Sequence, residues 1–128
     1  MRINYKSNSI WEEIVAYSRV VKIGNLIEVS GTTASDENGV LFENDIYNQS
    51  KYILLKIGKA LNNAGASFDD VIRTRIYVTD INQWQEVAKA HKEIFYDIKP
   101  ATSMVEVSSL IDDKLLVEIE LTAMIEAN

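Results

Sequence analysis

Residues 71–84 read VIRTRIYVTDINQW, a β-branched alternating run that stops at an aspartate and gives way to a different period. Val71 to Thr79 has the composition of a strand. Asp80 then stands where a helix N-cap belongs, with Gln83 in the reciprocal capping-box position, so the spacing predicts a helix beginning directly after it. Trp84, Val87, Ala88, His91, Ile94 and Phe95 recur at three and four and predict its buried stripe. Lys99-Pro100 closes the helical region, because the residue before proline is pushed out of the α basin.

The same strand-then-helix reading extends to both sides. Upstream, RVVKIGNLIEVSG holds two short β runs, at about 18–23 and 26–31, around Gly24-Asn25, a pair suited to a two-residue hairpin with positive φ at the glycine. Asn38-Gly39 signals a second turn, of type I′. From Asp45 the spacing of Ile46, Ser50, Ile53, Leu54, Ile57, Ala60, Leu61 and Ala64 predicts a helix of about 18 residues, capped by Asp45 and stopped by Gly65. Downstream, TSMVEVSSL and LLVEIELTAMI predict two strands joined by a loop at Asp112-Asp113-Lys114. The order β-β-α-β-α-β-β is an α+β pattern in which two helices cover one face of a single sheet.

Alternation assigns faces to those strands. Val105 and Val107, Val117, Ile119 and Leu121, and Ile72, Ile76 and Val78 are expected under the helices. Thr102, Met104, Glu106 and Ser108, Glu118, Glu120 and Thr122, and Arg73, Arg75 and Tyr77 are then expected on the opposite face. Such a face either pairs its charges in water, each pair contributing up to about 1 kcal/mol, or is covered by another subunit. Burial under a second subunit would raise a carboxylate's pKa toward values useful for proton transfer.

The 128 residues suit one domain, 1–128. Thirteen lysines and arginines against nineteen acids leave a net charge of −6, which disfavours nucleic acid and anionic lipid as partners. With no cysteine and a single histidine, neither a thiolate nucleophile nor a multi-histidine metal site is expected. The N-terminus lacks an apolar signal region and no stretch approaches a membrane span, so no membrane association and a cytoplasmic location are expected.

AYSR with Tyr17, GNLIEVSGTTA around Ser30-Gly31, ALNNAGAS, RIYVTDINQW, and PATSMVEV followed by LLVEIELTA together resemble the Rid, or YjgF, family from about Tyr17 to the C-terminus. The resemblance implies a chorismate-mutase-like fold, a homotrimer with clefts between subunits, and hydrolysis of reactive imines or enamines to keto acids and ammonia with no cofactor or metal. It places Glu118 as the residue activating water, with Tyr17, Ser30 and Gly31 at the cleft and Met104 beside the water. Where deaminating members carry an arginine that clamps the substrate carboxylate, this chain has Thr102, and a cleft asparagine is replaced by Ala88.

Efficient 2-iminocarboxylate hydrolysis is therefore not expected, and a small imine, enamine or related carbonyl metabolite is the substrate class. The alternative is a non-catalytic metabolite-binding or regulatory trimer. Arg73 or Arg75 either binds an anion or pairs with Glu106, Glu118 or Glu120. Glu118 is either the base or a structural partner of Arg75, with Glu120 beside it. His91, on the far side of the sheet, reads as a satisfied half-buried histidine.

Overall fold

The computed structural model describes residues 1–126. Strands β1 (Arg2–Tyr5), β2 (Val20–Ile23), β3 (Leu26–Thr32), β6 (Val71–Val78), β7 (Ala101–Glu106) and β8 (Val117–Met124) form one sheet in the order β1-β2-β3-β8-β6-β7. Every pairing is antiparallel except β6 with β7, so the sheet is mixed. Helices α2 (Ile46–Asn63) and α3 (Trp84–Phe95) cover one face, and a small hairpin, β4 (Ser35–Asp36) and β5 (Gly39–Val40), leads into α2. The α+β arrangement is the expected one, with β1, the short helix α1 (Ile10–Val15) and this hairpin added to the predicted order.

The α2 stripe is buried as the spacing requires: Ile53, Leu54, Ile57 and Leu61 are fully covered, and meet Ile119 and Leu121 of β8 in one core. Asp45 caps α2 through the Asn48 amide, and Gly65 takes φ +86° beyond its end. Gln49, which periodicity does not single out, is fully buried. Its amide donates to the carbonyls of Leu41, Phe42 and Lys114 and accepts from Leu116 N, tying two loops to the helix.

Gly58 lies where α2 crosses Phe68, and a Cβ there would come within 2.5 Å of the ring's Cζ. Gly58→Ala therefore overpacks the contact by about 1–3 kcal/mol, more than the roughly 1 kcal/mol gained in helix propensity. A lowered urea midpoint is the expected result; an unchanged or raised one would mean that Phe68 moves freely.

Several local expectations give way to tertiary pairing. Asp80 caps a 3₁₀ turn at Ile81–Gln83 through Asn82 N, with α3 following it, and Gln83 makes no capping bond to the helix. Trp84, expected in the buried stripe, is 50% exposed at the start of the helix; Val87 and Phe95 are buried as expected, and Ala90, outside the predicted stripe, is buried with them. In the β4–β5 hairpin the two loop residues are Glu37 and Asn38; only Gly39 has positive φ, so the turn is not type I′. Gly24 does take the predicted positive φ, +58°, between β2 and β3.

Two bulges set the faces. Between Val71↔Ala123 and Arg73↔Thr122 the register shifts, leaving Ile72 as the extra residue, 49% exposed, with Val71 and Thr74 turned to the core in place of the expected Ile72. Between Val29↔Leu121 and Thr32↔Ile119 the extra residue comes from the Ser30-Gly31 pair.

The larger correction concerns β7. Its parallel register pairs Thr74 with Thr102, Ile76 with Met104 and Val78 with Glu106, so these three β7 residues face the helix side. Val105, expected inside, is 48% exposed on the open face with Ser103. Apolar alternation misleads here because β7 is an edge strand exposed along most of its length.

Candidate functional site

The open face of the central strands is built from β8, β6 and β3. Arg75 sits across from Glu120 with Nη1 3.5 Å from its carboxylate, and also donates to Thr122 Oγ1 at 3.4 Å. Tyr77 donates its hydroxyl to the same Glu120 at 2.8 Å, an interaction that raises the phenol's pKa. Thr122 in turn donates to Glu28 at 2.6 Å, and Arg73 donates to Ser103 at 3.0 Å. Arg75 and Glu120 thus satisfy each other, which is the structural alternative for that arginine.

Glu118 is different. Among the described residues no hydrogen bond or ion pair reaches its carboxylate, and Arg75 turns to Glu120. Burial, and next the negative charge of Glu120, push its pKa above the ordinary glutamate value, with Arg19 opposing the rise. A carboxylate that is partly desolvated and unpaired is the kind of group that can take a proton from water.

Gly31 explains how the carboxylate fits. It belongs to the β3 bulge, and a Cβ on it would lie 2.1 Å from Glu118 Oε2. A residue with no side chain is needed there for the carboxylate to lie against the backbone. Gly31→Ala is therefore expected to swing Glu118 away and to lower any activity that depends on it by about 100-fold. The urea midpoint should hardly change, since the displaced atoms end a flexible side chain. Activity equal to wild type would mean that the carboxylate works from another position.

Behind the bulge stands Arg19, which sequence reading passed over although it lies in the AYSR motif. Only 8% exposed, it donates from Nη1 to Gly31 O at 2.9 Å and Thr32 Oγ1 at 3.0 Å, and from Nη2 to the Tyr17 hydroxyl at 3.2 Å. Its Nε lies 3.8 Å from the buried carboxylate of Glu12, which accepts from Ser7 N and Ser7 Oγ. Nothing in its immediate sequence marks it: it directly precedes β2, of which only Val20 is buried. The Ser30 hydroxyl, expected at the cleft, donates to Ser18 O at 2.6 Å and so fastens the bulge to the residues before β2.

The residues predicted for the site therefore fall into two groups. Tyr17, Ser30, Gly31, Arg75, Glu118 and Glu120 come together on or beside the open face. Thr102 and Met104 do not: they lie on the helix side of β7, and Glu106 there accepts from Ile81 N. Thr102 Oγ1 is 2.8 Å from Thr74 Oγ1, which is 2.9 Å from Nε2 of His91, whose half-buried ring has a lowered pKa because of that burial. His91 is half-buried on that side, as expected, and is bonded through Nε2.

Among the described residues there is no cluster of three or more histidine, cysteine or acidic side chains able to hold a metal, and no helix long and apolar enough to cross a membrane.

A mixed six-stranded sheet with two helices on one face and a half-buried glutamate against a bulge glycine on the other defines a Rid-like α+β protein. A family model described as endoribonuclease L-PSP matches residues 8–125, and the chain belongs to that family, the Rid or YjgF family. It is 34% identical to an uncharacterized protein of Streptomyces coelicolor, over 92% of this chain and 88% of that one. It is 32% identical to the 2-iminobutanoate/2-iminopropanoate deaminase of Rattus norvegicus, over 76% of this chain and 72% of the other. A crystal structure of a YjgF/YER057c/UK114 family member from Mycobacterium tuberculosis superposes with a TM-score of 0.90 at 48% identity, covering 98% of this chain and 100% of that one.

Proposed function

We propose that the protein is a cofactor-independent hydrolase of a small imine, enamine or related carbonyl metabolite, working in clefts between the subunits of a homotrimer. The observation that carries this reading is Glu118, half-buried, raised in pKa and unpaired because Glu120 takes both Arg75 and Tyr77. In the reaction Glu118 accepts a proton from water as the oxygen attacks the C=N carbon. Glu118 passes that proton to nitrogen to give a carbinolamine, whose hydroxyl proton moves to the amine as the C–N bond breaks, leaving a carbonyl compound and ammonia. Water is the only co-reactant.

The intersubunit placement is supported by the faces of the sheet. Thr102 and Met104 point to the helix side of β7 and Glu118 to the other, so one chain cannot offer both groups to one small molecule. Two copies can, if the edge strand of one meets the open face of its neighbour; the exposed Ile72 and Val105 give that contact apolar area. Relatedness to an iminobutanoate/iminopropanoate deaminase supports the reaction class.

The test is the decay of freshly generated 2-iminopropionate, followed by semicarbazide trapping, with light scattering on the same sample. Acceleration by a trimer supports the reading. A monomer, or a decay rate equal to that without protein across imine substrates, overturns it and leaves a non-catalytic metabolite-binding role for the same face.

A further inference from the structure

We propose that the open recess where α3 meets β7 is a carboxylate-binding subsite in which Lys92 and Lys99 supply the positive charge that Thr102 cannot. As a part of the substrate's path it rests on the cleft proposed above; as a binding site it can be tested by itself.

The recess, about 330 Å³, is lined by His91, Lys92, Phe95, Tyr96, Lys99 and Thr102 together with Pro100, and none of these is acidic although the chain carries a net charge of −6. Its lining combines aromatic surface with a few polar groups, as ligand sites do. Both ammonium groups stand over one ring: Lys92 Nζ lies 5.4 Å and Lys99 Nζ 4.1 Å from the Tyr96 centroid. Glu93, the acid next along the helix, is engaged elsewhere, by the Tyr47 hydroxyl at 2.7 Å and by Lys51 at 3.7 Å.

Lys99 reaches its place through an unusual backbone. Its φ is +52°, a left-handed conformation that is strained for a residue with a side chain. Its ammonium donates to the carbonyl of Tyr96, which holds it at the recess. Glycine or asparagine would adopt this conformation more cheaply. A lysine in that position puts a charge where a relaxed residue would put none.

The polar wall is a chain of hydroxyls that ends on the imidazole: Thr102 Oγ1 lies 3.1 Å from Pro100 O and 2.8 Å from Thr74 Oγ1, which lies 2.9 Å from His91 Nε2. Nδ1 of the ring has no partner among the described residues. A ligand suited to this wall is a small carboxylate with a planar, apolar body, its charge between the two lysines and its body against Phe95 and Tyr96.

His91 is the only histidine, so its imidazole nitrogens give an unambiguous NMR reporter. Benzoate and its neutral isostere benzamide are titrated into the full chain, wild type and Lys92→Ala/Lys99→Ala; both lysines are exposed, and the backbone spectrum checks that the double variant folds. Saturable shifts of His91 with benzoate, weakened at least about tenfold by the double substitution and by benzamide, are expected. Equal response to benzamide, a response without saturation, or full benzoate affinity in the double variant would overturn the subsite. Benzoate binding by a wild type that hydrolyses no imine would retain the subsite and remove the hydrolase reading. Imine hydrolysis with an unchanged KM in the double variant would do the reverse.

Discussion

Glu118→Gln is expected to lower imine hydrolysis by about 10²- to 10⁴-fold, the usual contribution of a positioned general base, and at the same time to make the protein more stable at neutral pH. The two effects have one origin. Burial and the neighbouring Glu120 make the charged form of Glu118 costly, which raises its pKa above that of the unfolded chain. The unfolded state therefore gives up its proton at lower pH than the folded one. The contribution of Glu118 to stability is fully present below its ordinary value of 4.5 and is lost as pH rises through the raised folded value. Glutamine carries no charge at any pH and escapes that loss. Urea midpoints of the two proteins should thus separate as pH rises from about 4 to about 8, with the variant the more stable. Wild-type hydrolysis should rise over the same window, as the base loses its proton. Midpoints that remain together would mean that the carboxylate is well solvated, and a variant with full activity would leave the mechanism without its base.

The sequence was most readable where a single element settles its own residues. The α2 stripe from Ile46 to Leu61 is buried as spaced, since a long helix on a sheet has only one way to hide its apolar residues. Glu118, Glu120 and Arg75 share a face because β8 and β6 are central strands buried on the helix side, where alternation is enforced. The expectation failed at β7 and Ile72 for related reasons. An edge strand exposed along most of its length has no buried face to fix its phase, and a bulge shifts the phase without changing composition. Thr102 therefore lies on the side opposite to the one that alternation assigns. Arg19 was unreadable for another reason: its partners Glu12, Gly31 and Tyr17 are close only once α1 and the β3 bulge are in place.

Arg19→Leu is expected to cost about 3–5 kcal/mol of unfolding free energy, the range for breaking a buried ion pair by removing one partner. Among the described residues the guanidinium is the only donor to the buried hydroxyl oxygen of Thr32, and it also holds Gly31 O and Tyr17. Leucine fills much of the volume but satisfies none of these acceptors, and it leaves the carboxylate of Glu12, 7% exposed, with Ser7 alone. Because the loss is mostly an uncompensated charge, Glu12→Gln added to Arg19→Leu should recover part of the stability, and the double-mutant cycle measures the coupling directly. The same substitution reaches Glu118. Arg19 is the charge that restrains its upward pKa shift, so its removal should move the rising limb of the pH–rate profile to higher pH. It should also lower the plateau, because the bulge that seats Gly31 against the carboxylate loses its support. A destabilised protein with an unmoved pH profile would make Arg19 a folding residue only; a moved profile would tie the buried Glu12–Arg19 pair to the basicity of the residue that activates water.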